Sequence, residues 1–191
     1  MKVKKAILIF GLCLCSLGLS GLLMIAYYNH RSSALPAGTA QKTEVVIAKP
    51  ETISGKPVEL IVPSLGIKLA VADGVYNPKT GAWTLSRDKA HFALLSLPPN
   101  NQEGNTVIYG HYRPEVFASL KKIQPGGEAI VRTENGYNFF YKFDQSVTVP
   151  PTDTSVFTYK GKPQLTLQTC TGVFMQDRQL FGFSLVRYEK L

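Results

Sequence analysis

The sequence predicts a mostly-β domain, a closed or nearly closed barrel, behind an N-terminal membrane segment. From residue 57 onward the apolar residues fall in short runs punctuated by Pro, Gly and Asn. Several runs alternate apolar with polar positions, as a half-buried strand does. The helices of about 10–15 residues that a parallel α/β fold inserts between strands are missing. About eight short strands with few, short helices fit a barrel.

The elements follow in order. Residues 58–62 read as a strand stopped by Pro63, and the turn Ser64-Leu65-Gly66 leads to a second at 67–72. Asn77-Pro78 and Thr80-Gly81 mark a turn before Trp83. Residues 90–97 read as a short helix ended by Pro98-Pro99. Residues 105–109 are a strong strand, with Thr106-Val107-Ile108-Tyr109 rich in β-branched and aromatic side chains. Residues 114–123 read as a short helix, with Pro in the first turn and Val116, Phe117, Leu120 and Ile123 at helical spacing. Strands at 129–133 and 138–149 flank the hairpin signal Asn135-Gly136. Strands at 164–170 and 180–188 complete the set.

The chain has 191 residues, 45% hydrophobic and 18% charged, which suits one domain with a real core and excludes disorder throughout. Three cysteines exclude a disulfide framework. The net charge is +8, but Lys2, Lys4, Lys5 and Arg31 precede residue 32 with no acid among them. The only basic pairs are Lys4-Lys5 and Lys121-Lys122, so no nucleic-acid partner is expected.

Residues 6–28 carry no charge. As a helix they reach about 35 Å, enough to cross a hydrocarbon core of about 30 Å. The lysines before them favour a cytoplasmic tail at 1–5, a signal anchor at 6–28 and export of the rest. The apolar region of a cleaved signal peptide is shorter, about 7–15 residues. Cys13 and Cys15 follow Leu12 and Leu14, not the small residue of a lipoprotein cleavage site. Residues 29–55 read as a spacer broken by Pro36, Gly38, Pro50 and Gly55, with a short apolar segment at 45–47, and 56–191 as the exported domain.

Cys170 is the only cysteine outside the apolar segment, so it has no disulfide partner in the exported domain. It ends the alternating run Gln164-Leu165-Thr166-Leu167-Gln168-Thr169-Cys170, which places it on the face opposite the leucines. His111 follows a strand and a glycine, a position that aims a side chain into a groove. His91 lies in an apolar stretch and reads as a satisfied structural histidine. Arg178 opens the last strand; if the last two strands are neighbours, it lies close to Cys170. Together a thiol, an imidazole and a guanidinium make an acyl-transfer site. The imidazole serves the thiolate and the proton, and the guanidinium serves a tetrahedral oxyanion.

These residues carry a resemblance. Thr166-Leu167-Gln168-Thr169-Cys170 resembles the TLxTC signature of sortases, the membrane-anchored cysteine transpeptidases of Gram-positive cell walls. Residues 105–111, ending in Gly110-His111, are similar to the segment bearing the sortase histidine. Phe117-Ala118-Ser119-Leu120, Gly126-Gly127-Glu128 and Arg178-Gln179-Leu180-Phe181 match further stretches over about residues 57–189. The resemblance implies a closed eight-stranded β-barrel. It implies that Cys170 attacks the Thr–Gly bond of an LPxTG-like sorting signal and holds the protein as a thioester. A cell-wall precursor or a pilin lysine then resolves it, with His111 as acid/base and Arg178 as stabiliser of the transition state. Thr169 is a candidate substrate-binding residue. No cofactor and no metal are expected, since Glu103, Glu115 and Asp153 are scattered.

Two alternatives stand beside this. An L,D-transpeptidase is also exported, β-rich and cysteine-dependent, but its cysteine follows an S-x-G pattern where this chain has Gln168-Thr169. A membrane-tethered binding domain needs none of the three residues, and all three are present.

Overall fold

The computed structural model describes residues 51–191. Pro57–Val62 (β1) turns through Gly66, at φ 64°, into Ile67–Gly74 (β2). A two-stranded hairpin follows, Tyr76–Asn77 (β3) with Ala82–Trp83 (β4). Ala90–Ala93 (β5), Asn105–Tyr109 (β6), Glu128–Thr133 (β7) and Tyr137–Val149 (β8) come next. After a one-turn helix, Ser155–Thr158 (α1), the chain ends in Gln164–Thr171 (β9) and Asp177–Lys190 (β10). Eight of these strands close into a barrel in the order β1-β2-β5-β6-β9-β10-β8-β7.

Closure follows from the alternation. Leu60 and Val62, Leu69 and Val71, Leu165 and Leu167, and Phe181 and Phe183 sit two apart on their strands, and all are buried in one core. Each such side chain contributes about 1.5–3 kcal/mol relative to exposure. The strand directions give the barrel two distinct poles. β6 and β9 run parallel and β10 returns antiparallel to β9. The C-terminal ends of β6 and β9 therefore meet the start of β10 at one pole. The chain enters β1 at the other pole, where Pro57 pairs with Thr133. There the backbone is stitched down at once: Ile53 N–H donates to Asn101 Oδ1 (3.0 Å) and Asn135 Nδ2 to the Ser54 carbonyl (2.9 Å).

Two predicted helices take other forms. The segment at 90–97 begins as strand β5, parallel to β2 and antiparallel to β6. Ala90, His91, Phe92 and Ala93 are all buried, so the run has no polar face, and its periodicity did not distinguish a strand from a helix. At 114–123, Val116, Phe117, Leu120 and Ile123 do enter the core, but the regular helix is only the 3-10 turn Ala118–Lys122. The predicted anchor at 6–28 and the segment at 45–47 lie outside the described residues. Among the described residues no helix is long and apolar enough to cross a membrane.

Candidate active site

Cys170, a free thiol, lies near the end of β9 and is half-buried. Arg178 is its direct cross-strand partner on β10. Directly opposed residues of antiparallel strands share a face, with Cβ atoms about 5 Å apart. On the other side of β9, Tyr109 of β6 is in register with Gln168, and Gly110 N–H donates to the Gln168 carbonyl (3.0 Å). Continuing that parallel register two residues brings His111 beside Cys170. Cys170, His111 and Arg178 all line one cavity of about 260 Å³ at this pole of the barrel. The fold thus brings together three residues that lie far apart in sequence.

His111 is held by the core. A Cβ at Gly110 would stand 2.7 Å from Val116 Cγ1 and 3.2 Å from Phe117 Cδ2, both buried side chains. Only glycine permits that approach. The His111 carbonyl then accepts from Arg113 N–H (2.9 Å) and Phe117 N–H (3.2 Å), fixing the backbone that carries the imidazole. Thr169 adds to this hold. Its side chain is buried, and its hydroxyl donates to the Gly110 carbonyl (2.9 Å). Thr169 also lines the cavity, yet its one hydroxyl proton is engaged beside His111.

Arg178 is held by a surface loop. Its Nη1 donates to the carbonyls of Met175 (3.3 Å) and Asp177 (3.0 Å). The connection begins at Gly172 (φ 85°), and Phe174 and Met175 both adopt positive φ, 59° and 58°. A side chain in this left-handed region costs about 1–2 kcal/mol. Phe174 is 96% exposed, so no burial offsets the cost.

His91 is structural, as read from the sequence: fully buried, with Nδ1 against the Asp73 carbonyl (3.2 Å) and Nε2 against Ser86 Oγ (3.0 Å). The cavity has a further wall that sequence reading did not assign. Trp83 of β4 and Phe157 of α1 line it and stack on each other, with ring centroids 5.9 Å apart and planes at 15°. Trp83 also meets the edge of Tyr109 at 5.1 Å, and the Tyr109 hydroxyl donates to the Thr84 carbonyl (2.9 Å). Burial holds that phenol well above its ordinary range, in its neutral, donating form. The turn residues before Trp83 signalled a hairpin, but nothing in sequence linked its ring to Phe157.

Comparison with known proteins follows the same outline. A family model described as a sortase domain matches residues 60–181. Sortase SrtE1 of Streptomyces coelicolor is 29% identical over 126 residues, 60% of this chain; the matched part is 36% of that relative, so the chain spans about a third of it. Among solved structures, sortase E1 of Streptomyces coelicolor with a tripeptide in its active site superimposes with TM-score 0.56 at 23% identity, over 72% of this chain and 91% of that one. Sortase A of Listeria monocytogenes gives 0.57 at 23% identity, over 71% and 90%. Sortase C-3 of Streptococcus pneumoniae gives 0.58 at 21% identity, over 72% and 66%. At these identities the structural matches establish the fold.

Proposed function

The chain belongs to the sortase family, and we propose that it is a cysteine transpeptidase acting on sorting-signal proteins through Cys170, His111 and Arg178. The observation that carries the proposal is the convergence of these three side chains on one cavity at one barrel pole. Cys170, as thiolate, attacks the threonine carbonyl of an LPxTG-like signal, and the carbonyl electron pair moves onto oxygen. Arg178 donates hydrogen bonds to that oxyanion from a planar fork. When the Thr–Gly bond breaks, His111 gives its proton to the leaving amine, and a thioester remains on Cys170. An acceptor amine, from a cell-wall precursor or a pilin lysine, then attacks the thioester and loses a proton to neutral His111. Collapse of that second intermediate forms the new amide and frees the sulfur. Residues 6–28 tether the enzyme to the membrane, with the catalytic domain outside the cell.

A peptide-library assay tests this with the full chain in detergent. Mass spectrometry should find an acyl adduct at Cys170 and transfer to an added amine, and Cys170→Ala should abolish both. Turnover without Cys170 would remove it from the mechanism.

A further inference from the structure

Trp83 and Phe157 belong to neither the barrel nor the three residues above. One comes from the β3–β4 hairpin, the other from α1, and the two elements meet through their rings. Both rings are half-buried and both line the Cys170 cavity, with Leu85 and Val107. A second cavity, with Tyr76, Leu95 and Asp153 in its wall, shares Trp83 and Phe157. The stacked pair therefore stands between two compartments of one groove. Deep burial does not hold it in place; one aromatic contact does, with the edge of Tyr109 behind Trp83.

We propose that Trp83 and Phe157 form an aromatic clasp that grips the apolar residues of the peptide on the acyl side of the bond Cys170 attacks. This deepens the transpeptidase reading and rests on it. The occupant follows from the lining. The Cys170 cavity has aromatic and aliphatic walls, His111 and Arg178, and no carboxylate. A cationic amine finds no counter-charge there, whereas an apolar peptide segment gains ring contact on burial. The acyl portion is also the part that stays bonded to Cys170 between the two steps, so contacts made beside the sulfur hold it through both. The clasp residues thus set which acyl donors are accepted, and the barrel residues act on whatever is held.

The test uses two alkylating reagents that share an electrophile: iodoacetamide and N-benzyl iodoacetamide. In each, the Cys170 thiolate displaces iodide, and the rate is read on the Cys170 peptide by mass spectrometry, apart from Cys13 and Cys15. The intact chain should favour the benzyl reagent. Trp83→Ala and Phe157→Ala should each cut the ratio of the two rates by about threefold to tenfold, while Trp83→Phe retains it. Ratios within twofold of the parent in both alanine variants would overturn the clasp. If either variant fails to fold, the parent chain decides alone. Trp83 is its only tryptophan, so benzyl alkylation should shift the emission and iodoacetamide should leave it nearly unmoved. Equal spectra after both reagents would overturn the proposal. Absent peptide transfer with the benzyl preference intact would sink the transpeptidase reading and leave the clasp standing.

Discussion

His111 and Arg178 approach Cys170 from the two neighbours of β9, and the fold holds them in opposite ways. On the β6 side, backbone packs onto core: Gly110 lies against Val116 and Phe117, and the His111 carbonyl takes two N–H donors from the following turn. On the β10 side, Arg178 rests on the carbonyls of an exposed loop with two residues at positive φ. The roles proposed for the two residues make sense of the difference. Proton transfer needs the imidazole within about 2.6–3.2 Å of sulfur or leaving amine, so its carrier must not move. A guanidinium is long and offers several donors, so a looser mount suffices.

The strongest way to break the comparison is at the imidazole. His111→Ala should cost about 10²–10⁴-fold in transfer rate, with the thermal midpoint nearly unchanged, because its backbone bonds survive. A loss of only a few-fold would make the histidine a structural neighbour of the thiol.

Gly110→Ala should act differently, through the mount itself. The added methyl meets Val116 Cγ1 at 2.7 Å, so the barrel pole should lose about 1–3 kcal/mol. Transfer should fall further than the unfolded fraction explains, because His111 shifts with its neighbour. Combining it with Val116→Ala reopens the space. The double variant should then be less destabilised than the two single effects added together. Strict additivity, measured by denaturant unfolding, would show that the contact does not restrain the turn.

Arg178→Lys keeps the charge and loses the fork and its grip on the Met175 and Asp177 carbonyls. Transfer should fall by about 10- to 100-fold, less than removal of a whole oxyanion donor. Full turnover in the lysine variant would reduce Arg178 to a nearby positive charge.

Much of this layout was legible in the chain, for reasons that particular residues show. Residues 164–170 alternate in full view, so β9 and the placement of Cys170 beyond its leucines could be read directly. Thr166 broke the simple pattern: it sits on the face away from the leucines yet is buried, its hydroxyl donating to Asn105 Oδ1 (3.1 Å). Strand β5 was missed because it is buried on both faces, which erases the polar phase that marks a strand. The helix read at 114–123 had the correct apolar set, but its backbone is spent on holding His111. Trp83 and Phe157 meet only through tertiary structure, and no local period connects them. Local signals thus located the residues proposed for chemistry, which end strands. They missed the residues proposed for recognition, which stand on loops.

The smallest expected effect sharpens the contrast most, because its sign is reversed. Phe174→Gly removes a side chain that is 96% exposed and sits at φ 59°. Little burial is lost, and the left-handed cost of about 1–2 kcal/mol disappears. Against this, glycine gives the unfolded chain about 0.5–1 kcal/mol of extra freedom. The net should be a slight gain in stability, about 1 kcal/mol or less, seen as a small rise in thermal midpoint. The Met175 carbonyl that Arg178 holds is unaltered, so transfer should change by no more than about threefold, within the usual effect of one weakened hydrogen bond. A fall in midpoint would show that the Phe174 ring makes a contact that keeps its backbone in place. Adding one carbon at Gly110 should destabilise the pole, and removing a whole ring at Phe174 should stabilise it. Opposite signs in one titration series are what a core-mounted base and a loop-mounted guanidinium require.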